Sequence, residues 1–214
     1  MTVAIIDYGS GNLHSAAKAF ERAARTMEQP EQILVTRDPD RVWRADRVVL
    51  PGVGAFRACR DALVAIPGMV EAMGEAVNQR GTPFLGVCVG MQLLYEASEE
   101  TPGRAGLGIL PGTVQRIPDG VKHPQMQWNV VDVVRPSPLF DGLDGEIWMY
   151  FVHSYAAPMS DLVTATCDYG GPVVASVQRD NVHAAQFHPE KSSTAGLRFV
   201  DNFVSLVRST EVVA

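Results

Sequence analysis

A cysteine with a glycine two residues away on each side is the feature of this sequence that most clearly indicates chemistry. Residues 84–92 read FLGVCVGMQ, so an apolar run precedes Cys88 and a segment with helical character follows it. The pattern strand, Gly-x-Cys-x-Gly, helix is typical of a nucleophile elbow, whose turn is too tight for side chains on its flanks. Such a turn presents the thiol at a helix N-terminus, where the dipole favours the reactive thiolate. We therefore predict that Cys88 is a nucleophile rather than a buried structural thiol.

Gln92 lies four residues after Cys88 and so on the same face of the predicted helix. Its amide could pair with the amide or carboxylate of a substrate, although a solvated helix position is the alternative. The other two cysteines, Cys59 and Cys167, lack such a setting and are assigned to packing. Three widely spaced cysteines argue against a disulfide framework and are typical of a reducing compartment.

A His-Pro-Glu sequence at 188–190 supplies a candidate base and a group to orient it. The residues before His188 predict a strand, and if extended geometry persists, residues 188 and 190 point to the same side. Glu190 could then accept the Nδ1 proton of His188 and leave Nε2 to face the thiol. A surface turn histidine is the alternative. His153, within a strand-like run, is interpreted as a structural histidine.

Attack of a thiolate on an amide carbonyl produces an oxyanion that needs preorganised donors. The Val89 N–H, directly after the nucleophile, is one expected donor. The Gly-rich turn PGVGAF at 51–56 could bring a second, the Val53 N–H, close to a ligand. The alternative is an ordinary turn between a strand and a helix. The turn at 9–11 has too few glycines for a dinucleotide-binding loop.

The elements that would position these residues alternate between strand and helix in the first half of the chain. The expected strands there are 3–7, 33–36, 47–50 and 83–87, the expected helices 12–25, 69–80 and 90–97, and 51–54 is a turn. This alternation predicts a parallel sheet covered on both faces. After residue 103 the expected strands are 113–117, 130–134, 148–155, 163–166, 173–178 and 183–187, with a hairpin turn at 179–181 and a last helix at 195–208. We predict one α/β domain over residues 1–214, with a mainly parallel sheet and antiparallel strands in the second half.

Composition excludes several classes of protein. The net charge of −6 argues against nucleic-acid binding, which needs a basic face. No apolar run approaches the length of a membrane span, and no secretory leader is visible, so a cytoplasmic location is expected. The histidines and cysteines do not cluster at metal-ligand spacing, so neither a metal nor a cofactor is expected.

In order and type, these motifs resemble the class I glutamine amidotransferase family. The cysteine elbow, the downstream His-Pro-Glu and the upstream Pro-Gly-x-Gly all match. The resemblance implies a flavodoxin-like fold and hydrolysis of L-glutamine to glutamate and ammonia through a cysteinyl thioester, with Cys88, His188 and Glu190 as the triad.

Four further segments resemble the glutaminase subunits of imidazole glycerol phosphate synthases. They read DYGSGNL at 7–13, PGVGAF at 51–56, YFVHSY at 150–155 and QFHPEKS at 186–192. This resemblance implies a heterodimer in which a (β/α)8 cyclase subunit uses the ammonia to make imidazole glycerol phosphate and an aminoimidazole carboxamide ribotide in histidine biosynthesis. It implies glutamine contacts from Gly54, Gln92 and the backbone of Ser154 and Tyr155. It also implies partner contacts from Asn12, Trp128, Tyr150 and Lys191.

One segment departs from this resemblance. Gln127 stands where the similar subunits have a glycine before the Trp-Asn pair. If that glycine needed positive φ, Gln127 would be strained. Two other functions stay open at this point: a glutaminase for another synthase, such as one making pyridoxal phosphate or anthranilate, and a catalytically silent binding or regulatory subunit.

Overall fold

The structure, a computed structural model, describes residues 1–27 and 32–207. In the first half of the chain the elements are β1 (Thr2–Ile6), α1 (Leu13–Thr26), β2 (Gln32–Thr36), α2 (Pro39–Arg44), β3 (Arg47–Gly52), α3 (Phe56–Val64), α4 (Met69–Asn78), β4 (Phe84–Cys88), α5 (Val89–Leu93) and β5 (Tyr95–Ser98). In the second half they are β6 (Leu110–Arg116), β7 (Gln125–Val133), β8 (Ile147–His153), β9 (Tyr155–Ala156), β10 (Val163–Asp168), β11 (Pro172–Arg179), β12 (Val182–Ala185) and α6 (Ser193–Ser205), with 3-10 turns at Pro138–Phe140 and Pro189–Lys191.

A nine-stranded mixed sheet forms the centre of the molecule. Its strand order is β2-β1-β3-β4-β12-β11-β10-β7-β8, and β5, β6 and β9 form a separate three-stranded sheet. The strands from β2 to β12 pair in parallel, and those from β12 to β8 pair antiparallel. The predicted parallel first half and antiparallel second half are thus both present in one sheet.

Helices cover this sheet because its central strands are apolar on both sides. β3 and β4 are buried along their whole length, as expected of parallel strands with helices on both faces. α1 packs against α6, where the rings of Phe20 and Phe203 meet edge to face with centroids 6.1 Å apart. α2 packs against α4, and α3 against α5.

The strand order decides where the candidate site lies. β3, β4 and β12 are adjacent and parallel, so their carboxyl ends meet at one edge of the sheet. The turn at 51–56 begins on β3, Cys88 ends β4, and His188 follows β12. Three segments far apart in sequence are therefore brought to one place, as is usual for ligand sites in open α/β sheets.

The predicted helix at 90–97 is wrong in its second half. α5 ends at Leu93, and residues 95–98 form β5. The carbonyl oxygens of Leu93, Leu94 and Tyr95 accept hydrogen bonds from residues 107, 110 and 108, respectively. These long-range bonds replace the helical ones, so tertiary structure overrides local helical preference here. Two helices, α2 and α3, were not predicted, and Pro51 and Gly52, which were expected in a turn, belong to β3.

The strand predicted at 130–134 begins five residues earlier than expected. β7 begins at Gln125 and pairs with β8 in unbroken register from Gln125–His153 to Val131–Ile147. Gln127 lies within it and is not among the residues with positive φ, so a side chain at this position imposes no backbone strain. The long strand predicted at 148–155 is divided at Ser154 into β8 and β9.

The hairpin turn between β11 and β12 is present, with Asp180 at φ +50°. The predicted last helix ends at Ser205, and Arg208, its expected end, lies outside the described residues. Within residues 1–27 and 32–207 no helix is both long enough and apolar enough to cross a membrane.

Candidate active site

Cys88 lies in a strained turn, and the residues packed around it leave no room for the turn to widen. Its φ is +55° and its ψ −115°, a conformation rare for a residue with a side chain. A Cβ on Gly52 would lie 2.5 Å from the Gly90 backbone nitrogen, and a Cβ on Gly90 would overlap the Leu50 carbonyl oxygen. The first turn of α5 therefore packs directly on the backbone of β3. Strain of this kind, concentrated at one residue, is characteristic of functional positions.

His188 faces this turn from the segment after β12. Its Nδ1 lies 2.9 Å from Oε1 of Glu190, and both side chains are almost fully buried. The contact is made across a 3-10 turn at Pro189–Lys191 rather than along an extended strand, so the expected pairing is present through a different local geometry. Nδ1 is the donor because a carboxylate only accepts. Nε2 is buried and makes no hydrogen bond in the described part of the chain.

The electrostatic surroundings favour the charged form of His188. Burial lowers the pKa of His188, but Cys88 and Glu190 beside it outweigh burial and raise that pKa to about 10. An imidazolium next to a thiol stabilises the thiolate, and a carboxylate behind the ring stabilises the imidazolium. The structure thus brings Cys88, His188 and Glu190 together in one buried cluster.

Backbone hydrogen bonds hold His188 in place. Its N–H donates to the Tyr150 carbonyl oxygen at 2.9 Å, and its own carbonyl oxygen accepts from the Ser192 hydroxyl at 2.6 Å. That same hydroxyl oxygen accepts from the Tyr150 N–H at 3.0 Å. The base is therefore fixed to β8 by its backbone as well as to Glu190 by its ring.

Gln92 and Gln186 form a buried amide pair beside the nucleophile. Gln92 donates from Nε2 to the Tyr155 carbonyl oxygen at 2.8 Å and to Oε1 of Gln186 at 3.1 Å. Gln186 in turn donates from Nε2 to the Cys88 sulfur at 3.7 Å. Sequence reasoning did not assign a role to Gln186. Its contacts are with residues more than ninety positions away in the sequence, so no local pattern signals this role.

The Tyr155 carbonyl oxygen accepts a second hydrogen bond, from Nδ1 of His153 at 2.9 Å. With two donors in place it has no further acceptor capacity, so any glutamine contact from this segment must use its other backbone groups. Burial, with a smaller effect of His188, lowers the pKa of His153 to about 4 against the opposing hydrogen bond to Tyr155. His153 is thus neutral and structural, as the sequence indicated, although its Nε2 has no partner among the described residues.

The turn at 51–56 lies beside Cys88, because Gly52 is the register partner of Cys88. Gly54 has φ +107°, and a Cβ there would meet nothing within 4 Å, so this side of the turn is open. The Val53 N–H points at the Ser10 hydroxyl oxygen at 3.4 Å, and its carbonyl oxygen accepts from that hydroxyl at 2.6 Å. Beyond the turn, Glu100 accepts the Phe56 N–H at 3.0 Å and caps α3.

Comparison with known proteins adds an independent finding. The family described as glutamine amidotransferase class-I matches residues 4–206. The chain belongs to the class I glutamine amidotransferase family. It is 54% identical over 212 residues to the imidazole glycerol phosphate synthase subunit HisH of Rhodopseudomonas palustris, covering 95% of this chain and 98% of that one. It is 51% identical over 214 residues to the HisH subunit of Bradyrhizobium diazoefficiens, with the same coverage.

The amidotransferase fold is also found among solved structures. A crystal structure described as a GMP synthase protein from Thermoplasma acidophilum superposes with a TM-score of 0.64 at 21% identity, covering 95% of this chain and 92% of that one. This likeness concerns the fold alone. It confirms the predicted mixed sheet flanked by helices; in the described part of the chain, four pairings of the nine-stranded sheet are parallel and four are antiparallel.

The four residues expected at a partner surface fall into two groups near the candidate site. Asn12 lines a small crevice with His188 and Glu190, and Lys191 follows Glu190 on the exposed surface. Trp128 and Tyr150 are register partners on β7 and β8, with ring centroids 6.1 Å apart. The amidotransferase site and these residues are therefore neighbours in space.

Proposed function

We propose that residues 1–214 act as a single glutamine amidotransferase domain that hydrolyses L-glutamine and delivers ammonia to the cyclase of an imidazole glycerol phosphate synthase. The observation that carries the hydrolytic part is the strained Cys88 elbow facing the buried His188–Glu190 pair. The identity to HisH subunits over nearly the whole chain supports the identity of the partner. The three free cysteines fit a reducing compartment, so we place the activity in the cytoplasm.

In the proposed reaction, the Cys88 thiolate attacks the side-chain amide carbon of glutamine. His188, in its protonated form, gives its Nε2 proton to the leaving amide nitrogen, and ammonia departs as the carbon–nitrogen bond breaks. The resulting thioester is then attacked by water, whose proton His188 accepts, and glutamate is released. Glu190 keeps the ring oriented and stabilises its positive charge in both steps.

Two oxyanions form along this path, one in each step. We propose that the Val89 N–H, at the start of α5, and the Val53 N–H, in the turn at 51–56, stabilise them. Gln92, Gly54 and the backbone of Ser154 and Tyr155 are proposed to surround glutamine. This chemistry requires no metal or cofactor, because the Cys88 thiolate is the nucleophile and the His188 imidazole gives and accepts every proton.

The partner surface is proposed to include Asn12, Trp128, Tyr150 and Lys191. Trp128 is 43% exposed, and Met126 and Trp148 nearby on the same pair of strands are also exposed. Contiguous exposed apolar side chains of this kind usually mark an interaction site. Tyr150 joins that surface to the site, because its carbonyl oxygen accepts the His188 N–H.

Isotope transfer tests the proposed function. The chain is combined with the cyclase, its phosphoribulosyl-formimino ribotide and glutamine labelled with ¹⁵N in the amide group. We expect the label in imidazole glycerol phosphate, and none when Cys88→Ala replaces the native chain. Transfer of label only with a synthase for pyridoxal phosphate or anthranilate would assign the chain to that other enzyme instead.

An interface test uses two equally exposed tryptophans. Trp128→Ala is expected to weaken cyclase binding at least tenfold, as removal of a buried aromatic anchor commonly does. Trp43, which is 41% exposed on α2, provides the matched control. Equal loss of binding in Trp128→Ala and Trp43→Ala would show that β7 is not part of the interface.

A further inference from the structure

A cavity of about 270 Å³ lies at the opposite end of β4 from Cys88. Val182, the first residue of β12, is the register partner of Phe84, the first residue of β4, and also pairs with Arg179 at the end of β11. Cys88 ends β4, about 13 Å further along that strand. The cavity beside Arg179 is therefore separate from the amidotransferase site. α4, the loop before β6 and the end of β11 line it, with Met73, Gly74, Asn78, Leu107, Ile109 and Arg179 among its walls.

Polar contacts hold these three segments together. Arg179 donates from Nη1 to the Ile109 carbonyl oxygen at 2.9 Å, which joins the end of β11 to the loop before β6. Asn181, two residues further on, donates from Nδ2 to the carbonyl oxygens of Val77 at 3.1 Å and Thr82 at 2.8 Å. These bonds join the same hairpin to the end of α4. The cavity is thus formed before any ligand binds, so binding there has little ordering cost.

The inner walls of the cavity are apolar. Met73 is fully buried, and Leu107 and Ile109 are half-buried. Gly74 lies on α4 beside them, and a Cβ at this position would meet nothing within 4 Å. Glycine inside a helix is less favourable than alanine by about 1 kcal/mol, and here it leaves space for an apolar group of a ligand.

The mouth of the cavity carries one cation that has unused donors. Among the described residues, Arg179 uses one of its N–H groups for a hydrogen bond, to Ile109. Asp180 lies 4.0 Å from Nε, with its side chain 73% exposed, and an exposed pair of this kind contributes little. The remaining N–H groups form a fork that matches a carboxylate. The nearby Asp180 carboxylate disfavours a doubly charged anion such as phosphate, because like charges repel.

We propose that this cavity binds a small organic monocarboxylate, with its carboxylate on Arg179 and its apolar body over Gly74, between Met73 and Ile109. The volume lies just below the range of about 300–1,000 Å³ that is usual for small-molecule sites, which fits a small metabolite. The Asn78 amide, one helical turn after Gly74, is exposed at the mouth and makes no hydrogen bond within the described residues, so it is open to the ligand. This site does not depend on the proposed glutaminase activity.

Three probes separate the parts of this ligand. Isocaproate has both the carboxylate and an apolar body, isocaproamide has the same body without charge, and inorganic phosphate has charge without the body. Each is titrated into the native chain, and the backbone amide signals are followed by ¹H–¹⁵N NMR. We expect isocaproate to shift the signals of Gly74 and Asn78 in a saturable way and to leave Gly54, beside Cys88, unchanged. The other two probes should bind about tenfold more weakly or worse, because each lacks one set of contacts.

Two variants test the walls of the cavity with isocaproate. Arg179→Gln keeps a donor for the Ile109 carbonyl oxygen but lacks the charge, and should weaken binding about tenfold or more. Gly74→Leu fills the apolar floor and should abolish the saturable shifts. Arg198→Gln is the matched control, because Arg198 is also exposed and donates to a backbone carbonyl, that of Asp141, far from the cavity in sequence. This control should bind isocaproate as the native chain does.

Absence of saturable shifts at Gly74 and Asn78 would overturn the proposal, as would unchanged binding in Gly74→Leu. Equal affinity for isocaproamide would show that no carboxylate is recognised, and tighter binding of phosphate would replace the proposed ligand class. Shifts confined to Gly54 would place the carboxylate in the amidotransferase site instead. If Arg179→Gln did not fold, Gly74→Leu and the isocaproamide titration would decide the matter, since neither alters Arg179.

Discussion

The Nδ1 atom of His188 lies 2.9 Å from a carboxylate oxygen of Glu190, and both side chains are buried. Because Glu190 can only accept, it fixes the proton on Nδ1 and leaves Nε2 as the atom that exchanges protons near Cys88. The pair is held by a 3-10 turn and by the Ser192 hydroxyl. Orientation of the base is thus built into the fold rather than acquired when substrate binds.

Replacement of Glu190 should therefore affect turnover more than binding. Glu190→Gln removes one of the two groups that raise the pKa of His188, so that pKa should fall. We expect kcat to fall by about a hundredfold or more, as for the orienting acid of other triads, with KM changed only a few-fold. Steady-state kinetics and the NMR titration of His188 provide the measurements. An unchanged kcat would remove Glu190 from the mechanism.

Cys88 should be the only thiol that reacts with glutamine-analogue alkylators. It is placed by the elbow beside His188, whereas Cys167 is buried and its pKa is raised to about 11 by burial. Mass spectrometry should locate the label on Cys88 with complete loss of glutaminase activity. Cys167→Ser should stay active and be labelled at the native rate. Label found mainly on Cys59 or Cys167 would contradict the assignment of the nucleophile.

The elbow glycines can be tested through stability. A Cβ on Gly90 would overlap the Leu50 carbonyl oxygen, a backbone atom of β3 that cannot easily move. We expect Gly90→Ala to lower the free energy of unfolding by about 3 kcal/mol or more. Gly74 is the matched control, because it lies inside α4 and a Cβ there meets nothing within 4 Å.

Gly74→Ala should instead raise the free energy of unfolding by about 0.5–1 kcal/mol, since alanine is the better helix former. Urea unfolding of both variants provides the comparison. Equal effects of the two substitutions would show that β3 and α5 are not in direct backbone contact.

A buried histidine remote from the triad should make stability depend on pH. Burial lowers the pKa of His183 from 6.5 to about 4. Between about pH 6.5 and about pH 4, His183 is protonated in the unfolded chain but neutral in the folded chain. Stability is therefore lost as the pH falls from about 6.5 to about 4. His183→Gln lacks this titration. The unfolding free energy of the native chain, relative to that of the variant, should decline as the pH falls through this window and be constant above about pH 7. A difference that does not depend on pH would contradict the burial of a neutral His183.

Local sequence was enough to select Cys88 and His188, which the structure brings together. The Gly-x-Cys-x-Gly spacing is visible in five consecutive residues, and His188 and Glu190 are two positions apart whether the backbone is extended or in a 3-10 turn. Gln186 could not be assigned in this way. Its contacts are with Gln92 and Cys88, more than ninety residues away, and no local pattern encodes them.

The errors in the predicted helices and strands also arise from long-range contacts. Residues 95–98 have helical composition, but the carbonyl oxygens of residues 93–95 accept hydrogen bonds from the N–H groups of residues 107, 108 and 110. The segment at 125–129 follows a proline and contains polar residues, yet its pairing with β8 makes it a strand. Ser10 and Cys59 meet only because β3 is placed between β1 and β4. In each case a long-range contact decided a conformation that the local sequence left open.

The central claim is that glutamine hydrolysis at Cys88 is coupled to a cyclase. The most direct test measures the initial rate of glutamate formation by the native chain alone, with the cyclase, and with the cyclase and its ribotide. We expect slow hydrolysis by the isolated chain, a marked rise with cyclase and ribotide together, and no hydrolysis by Cys88→Ala under any condition. Full activity of the isolated chain that no cyclase alters, or activity that persists in Cys88→Ala, would contradict the account.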